Sequence, residues 1–475
     1  RNMSSAASDV YKRQDEDLAK TQKIGETFQW ALSHTKLEDL QELTESKSAT
    51  KKLRDDRPDF SKYSNAELFD QYLQLLKLHR KYFSQHIFTT YMATVPVGII
   101  SGVANAVGRP DLLLPIIAGF GEVDSAEPSH AMWDMGRLVR SNDDLTAEFE
   151  KGITGLIDRL LQSESSEASE FLKAFEHFIY EYGSRGPNEW EARSPSWETR
   201  PELALNAIDR MRLAGDELAP KTQNAERATQ REQAATELLS MVEADPEVHG
   251  ELAVGIAASA AWLPARERTK TNNIRLIHEM RMIMRAIGAR MVEKNAFDEI
   301  EDFGFVTEEE YASLFKEPTS MLNIIRSRRD EYYKLLEREA QFLFDGQADH
   351  PDTWRRRDAV SEDVLAEGEA LQGMPGCTGS AEGTARVILD SNDPTSLQPG
   401  DILVAPLTDP SWTPLFVPAA AVVVDVGAPL SHAIIVSREL GIPCVVSATD
   451  ATRRIPDGAR INVNGDTGVV TVLEV

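Results

Sequence analysis

Cysteine is almost missing from this chain: Cys377 and Cys444 are the only two in 475 residues. They lack metal-ligand spacing and cannot make a disulfide framework. Both fit a reducing cytosol, and Cys444, within Pro443-Cys444-Val445-Val446, reads as a small core residue. Long apolar runs are missing too. The longest, Val95 to Val107, is interrupted by Gly98 and Gly102 and is too short to span a bilayer. Neither membrane association nor a secretory leader is expected, and a cytoplasmic location follows. Positive charge is scarce: 51 Lys plus Arg stand against 77 Asp plus Glu, a formal charge of -26. Such a surface repels nucleic acid and anionic lipid, so neither is expected as a partner. No P-loop pattern occurs. Asp298, Glu299, Glu301 and Asp302 read as an exposed acidic turn, and no metal site is expected.

What remains is a chain of two textures. Residues 1–14, RNMSSAASDVYKRQ, are polar and aperiodic; they read as a leader foreign to the natural protein, which is expected to continue upstream. From 15 to 346 the apolar spacing is helical. Ser64-Asn65-Ala66-Glu67 and Thr307-Glu308-Glu309-Glu310 have the pattern of capping boxes. Further helices are predicted over Ser169 to Tyr182, Pro201 to Leu213, Asn224 to Glu243, Pro264 to Lys294 and Ser320 to Phe344. Residues 347–372 are charged and read as a linker. From 373 to 475 short Val- and Ile-rich segments alternate with Gly, Pro and Asp, the signature of strands. One helix interrupts them, Ser431 to Leu440, stopped by Gly441 and Pro443. The fold class expected is multidomain: a large all-α domain followed by a compact α/β domain.

Within that second domain His432 stands in the first turn of the predicted helix, after a buried strand and a tight turn. Backbone N–H groups are unpaired there and the helix dipole is positive, so a phosphate is stabilised. Imidazole is a good nucleophile near neutral pH, and the Ser431 hydroxyl either caps the helix or touches the phosphate. This local pattern alone fits an ordinary helix-start histidine better than a phosphate site.

The flanking residues go further. Leu430-Ser431-His432-Ala433-Ile434-Ile435-Val436-Ser437-Arg438-Glu439-Leu440-Gly441-Ile442-Pro443 resembles the signature of the swivelling phosphohistidine domain of phosphoenolpyruvate-utilising enzymes. The segments Gly376 to Val387, Pro399 to Val404, Thr408 to Phe416 and Gly465 to Val469 are similar to the rest of that domain. Ala428 and Ser437 depart from it by small residues. The resemblance implies a β/β/α swivelling domain in which His432 accepts a phosphoryl group and passes it on, with Ser431, Leu430 and Thr408 near the phosphate. Thr408, Asp409 and Trp412 read equally as a turn that covers the sheet.

No pyruvate-binding barrel follows the domain in this sequence. The order is most like the last two of the three domains of rifampicin phosphotransferases. Tyr182-Gly183-Ser184-Arg185-Gly186-Pro187-Asn188-Glu189, Asp124-Ser125-Ala126 with Trp133, and Arg266-Glu267-Arg268-Thr269-Lys270 are similar to motifs of their helical substrate domain. Arg266 and Lys270, four apart, project from one helix face. They are either a solvated basic face or, as the resemblance implies, a catalytic pair that neutralises the phosphoryl group in transit; Arg185 and Glu189 are implied at the substrate. The resemblance further implies ATP and Mg on an ATP-grasp domain or subunit, no cofactor on this chain, and a small hydroxylated acceptor. Three other readings stay open: a relay carrier that passes phosphate to another protein, a phosphoenolpyruvate-synthase-like subunit, and a scaffold without catalysis. An apolar pocket facing His432 and lined by Arg266 and Lys270 favours the enzyme.

Overall fold

The computed structural model describes residues 22–475 apart from 121–122, 217–218, 342–343, 358–362, 390–396, 410–411 and 429–430. The leader expected at 1–14 lies outside the described residues. A large helical region precedes a C-terminal mixed-sheet domain. The helices are α1 (22–32), α2 (Gln41–Asp55), α3 (Asn65–Ala106), α4 (Leu113–Ile116), α5 (Glu127–Arg140), α6 (Asp143–Glu150), α7 (Leu156–Gln162), α8 (Ser166–Tyr182), α9 (Glu202–Leu213), α10 (Pro220–Met241), α11 (Pro246–Glu293), α12 (Tyr311–Lys316) and α13 (Leu322–Leu336). Ser64 caps α3 as its sequence predicts: its hydroxyl accepts from the Glu67 amide, and Glu67 accepts from the Ser64 amide at 2.7 Å.

The axis of the helical region is the pair α3 and α11, which lie side by side. The predicted start of α11 at Pro264 is corrected to Pro246, where the Asp245 side chain accepts from the Glu247 and Val248 amides. Proline removes one helix hydrogen bond and usually ends a helix. Here packing against α3 carries the helix through it, and Pro264 is buried inside. Gly255 permits the close approach, since a Cβ there would lie 3.1 Å from Ile99 Cγ2. Among the described residues α3 is the one helix long and apolar enough to cross a membrane, a longer apolar stretch than the run Val95 to Val107.

The sheet domain holds β1 (Ala370–Gln372), β2 (Met374–Cys377), β3 (Ser380–Val387), β4 (Ile402–Ala405), α14 (Thr413–Phe416), β5 (Ala421–Val424), α15 (His432–Leu440), β6 (Cys444–Val446), α16 (Ala451–Arg454), β7 (Arg460–Asn464) and β8 (Val469–Glu474). The strand order is β1-β8-β7-β3-β4-β5-β6-β2, with β3 to β6 parallel and the flanking pairs antiparallel. Strands β4, β5 and β6 are buried at every residue, as parallel strands covered on both faces must be, while β7 and β8 alternate. Gly465 is required by contact: a Cβ there would lie 1.8 Å from the Cys377 carbonyl oxygen. Gly465→Ala is expected to cost about 3 kcal/mol and lower the melting temperature accordingly, measured by thermal unfolding.

The linker expected over 347–372 needs correction at both ends. Residues 370–372 form β1, paired to β8. Upstream, the Glu339 amide donates to Arg355 O and the Arg357 amide to Glu337 O, so the chain folds back on itself beside the end of α13. The charges that suggested a solvated linker are used in ion pairs to the sheet domain, Arg355 to Asp450 at 2.7 Å and Arg453 to Glu339 at 2.8 Å. Nor do the two regions have separate cores in this arrangement. One apolar cluster runs from α5, α8 and α9 through Trp412 and Phe416 to Ile434 and Val436 of α15.

Candidate active site

The parallel strands β4 and β5 end side by side, and the segments leaving their carboxyl ends carry Thr408 and His432. That edge is where ligand sites of parallel sheets are built. Ser431 occupies the N-cap of α15 in extended geometry, but its hydroxyl caps nothing. Ser431 Oγ is buried with no hydrogen-bond partner among the described residues, an acceptor-and-donor group open to a phosphate. At the other end Gly441, in the left-handed region, stops the helix as predicted. Leu430, expected at the phosphate, lies outside the described residues.

Thr408 Oγ1 lies 3.1 Å from His432 Nδ1, and the Phe416 ring meets the imidazole edge-on at 5.8 Å. These two contacts hold the ring in orientation. Arg438, further along α15, instead points away and donates from Nε to Gly376 O at 3.2 Å.

The helical region supplies the charge. The spacing on α11 places Arg266 and Lys270 on one face, and the loop after α8 brings Arg185 and Glu189 to the same place. Glu189, 1% exposed, sits between Arg185 Nε at 2.7 Å and Lys270 Nζ at 3.2 Å. Arg185 also donates from Nη1 to Thr271 Oγ1 at 3.0 Å, and Arg266 pairs with Glu267. Three cations against two carboxylates leave one positive charge in excess. Arg185 Nη2 and Arg266 Nε are buried without an acceptor among the described residues. Buried guanidinium nitrogens without acceptors are costly unless an anion arrives. A phosphoryl group fits that need.

His432 and these cations face each other. Burial first, then the charges of Lys270, Arg185 and Arg266, hold His432 well below the ordinary histidine value. It is therefore neutral, and a nucleophile, at physiological pH. Asn188, in the left-handed region that Asn tolerates, turns its amide to donate to Asp409 Oδ2 at 3.0 Å, tying the loop after α8 to the segment after β4. Between α11 and α15 lies a cavity of about 30 Å³, lined by Pro264, Arg266, Ile435 and Arg438 among others. It admits a water-sized group and borders Arg266 but neither Lys270 nor His432.

Other predicted motifs fall elsewhere. Asp124 pairs with Lys47 and Arg268, each at 3.4 Å, and Trp133 lies in the apolar cluster under the Arg137 guanidinium. His278 is a core residue as expected, held by Glu198 at 2.7 Å and Arg281 at 3.0 Å. Asp298 and Asp302 are engaged by Arg326 and Arg329. Three residues at the site were given no role from the sequence: Asn188 as a tie between regions, Phe416 against the imidazole, and His86 of α3 beside the cationic turn of α11.

Known proteins are similar to this chain in both regions. Residues 85–267 match the rifampicin phosphotransferase fourth domain, and residues 397–468 match the mobile domain of PEP-utilising enzymes. A rifampicin phosphotransferase of Streptomyces sviceus is 31% identical over 359 residues, 74% of this chain and 40% of that protein. One of Bacillus cereus is 28% identical over 356 residues, again 74% and 40%. An uncharacterized phosphotransferase of Bacillus subtilis, YvkC, is 28% identical over 356 residues, 74% of this chain and 42% of that one. The chain thus spans about 40% of the length of the curated relatives it matches.

Proposed function

We propose that this chain, which belongs through its two matched domains to the rifampicin phosphotransferase-like PEP-utilising enzymes, is the carrier and acceptor-binding part of a histidine phosphotransferase. The observation that carries this reading is His432 facing Arg185, Arg266 and Lys270 across the two regions. With Nδ1 engaged by Thr408, Nε2 is the ring nitrogen we assign to the phosphoryl group. In the first half-reaction the donor P–O bond breaks and a P–N bond forms at His432. In the second, an acceptor hydroxyl oxygen attacks phosphorus, the P–N bond breaks, and its electron pair returns to the imidazole.

The chain's own residues stabilise the charge of that transfer. The amides at the start of α15 and the Ser431 hydroxyl serve the phosphoryl group on the carrier side, and the three cations serve it on the acceptor side. The narrow space beside Arg266 implies that the acceptor enters while the carrier is away, which is the purpose of a swivelling domain. The donor we assign is the ATP β-phosphoryl, bound with Mg on an ATP-grasp domain or subunit, and the acceptor is a small hydroxylated compound; the setting is the cytoplasm. No observation favours a relay to another protein.

The test is labelling. The purified chain is expected to take no label from ATP alone, and to become phosphorylated when an ATP-grasp partner is added or when phosphoramidate is supplied. The ³¹P signal should be that of phosphohistidine, labile in acid and stable in base. A protein that stays unlabelled under both conditions, or labels on serine, would sink the reading.

A further inference from the structure

His86 lies on α3, is 7% exposed, and packs its ring against Trp190 at 5.7 Å between centroids. Trp190 adjoins Glu189, the residue between Arg185 and Lys270. On its other side His86 meets the turn of α11 that carries Arg266 and Lys270: Nδ1 lies 3.1 Å from Thr269 Oγ1. The Thr269 hydroxyl already donates its proton to Arg266 O at 3.0 Å. It has no second proton, so toward His86 it is an acceptor, and Nδ1 must be the protonated ring nitrogen. Nε2 then carries a lone pair, with the N–H side of the ring turned to Thr269 Oγ1 and the Arg266 carbonyl. A histidine whose Nδ1–H is anchored and whose Nε2 is left as a base has the arrangement of a proton acceptor. Beside it, Phe83 and Trp190 are partly exposed and meet edge-on at 5.9 Å, an aromatic shelf next to the cationic turn.

We propose that His86 is the base that takes the acceptor's hydroxyl proton as the phosphoryl group leaves His432. The role rests on the function proposed above and supplies a step that the cations cannot perform. The acceptor O–H bond breaks and the proton goes to His86 Nε2. The O–P bond forms as the P–N bond at His432 breaks, and the electron pair stays on the imidazole of His432. His86 is left as an imidazolium and returns its proton to solvent.

The groups facing His86 make this conditional on the phosphoryl group. Burial and the charge of Arg266, with a smaller push from Lys270, hold His86 at about 4 against the opposing pull of Glu267. Without a phosphoryl group nearby the base is weak and stays unprotonated. A phosphoryl dianion between Arg266 and Lys270 offsets their charge and raises the basicity of His86 at the moment a base is needed.

The experiment uses the full chain phosphorylated by phosphoramidate and a series of acceptors of one shape and rising acidity: phenol, 4-chlorophenol and 4-nitrophenol. His86→Asn keeps a donor for Thr269 and removes the base. At mildly alkaline pH, transfer to phenol should fall about 10²-fold in this variant, while transfer to the already ionised 4-nitrophenol stays within about threefold. Phosphorylation of His432 itself should be unchanged. Equal loss toward both phenols, or no loss toward either, overturns the proposal and makes His86 structural. A wild-type chain that never labels on His432 sinks the carrier reading instead. A chain that labels but passes phosphate to none of the phenols sinks the acceptor reading and the proposal with it.

Discussion

His432→Ala is expected to abolish acid-labile phosphorylation, a loss on the order of 10³-fold or more, as when a covalent nucleophile is removed. The reason is that nothing nearby can replace it. His432 alone combines the open amides at the start of α15, the Ser431 hydroxyl and an imidazole held neutral by its surroundings. His278 is locked between Glu198 and Arg281, and His86 lies in the interior of α3, with no helix-start amides beside it. The alanine side chain also removes a partner of Thr408 and Phe416, so a small fall in melting temperature is expected alongside. The two effects separate cleanly: His432→Gln restores bulk and polarity but not labelling. Mass spectrometry of the phosphorylated chain, with acid treatment as control, reads both. Persistent acid-labile phosphate in either variant would remove His432 from the mechanism.

The second large effect concerns Lys270. Lys270→Met keeps the apolar stem and removes the charge. Transfer from phosphorylated His432 to an acceptor is expected to slow by about 10²- to 10³-fold, the usual consequence of deleting one preorganised group that stabilises transition-state charge. Uptake of phosphate from phosphoramidate should change little above neutral pH, because Lys270 belongs to the acceptor side. Glu189 keeps Arg185 at 2.7 Å and is not orphaned, so the fold should survive. The same substitution moves His432. Lys270 is the largest charge opposing its imidazolium, so removing it raises the histidine toward its ordinary value. In the wild type uptake persists as pH falls below 6.5, because His432 stays neutral until its depressed value is reached. In Lys270→Met the acid limb should lie at higher pH. A variant with unchanged transfer and an unchanged acid limb would show that Lys270 does not face the carrier in solution.

The depressed value also bears on docking. In the docked arrangement burial first, and then the cations, hold His432 well below the ordinary value of 6.5, so it resists protonation. The docked arrangement therefore costs nothing above 6.5 and weakens as pH falls below it. A phosphoryl group reverses the sign. The three cations that repel an imidazolium attract a phosphorylated ring, so the loaded carrier docks more tightly than a protonated empty one.

Much of this molecule is determined locally and is therefore readable in the sequence. Ser64 and Glu67 are three residues apart and cap α3 with their own atoms. Gly441 ends α15 because only a residue tolerant of the left-handed region can, and the Val-rich runs of β4 and β5 announce strands buried on both faces. The position of His432 at a helix start is of the same kind, as is the shared face of Arg266 and Lys270. What tertiary structure decided involves residues far apart in the chain. Packing against α3 carried α11 through Pro264, against the preference of proline itself. Ion pairs to Asp450 and Arg453 folded back a charged segment that composition alone assigns to a linker. The docking of α15 against α11 brought His432 to Arg185, Arg266 and Lys270, and the pairing of α3 with α11 set His86 behind the same turn. Sequence spacing describes what one helix or strand presents; only the packing of several decides which charges share a site, because electrostatic energy depends on distance in space.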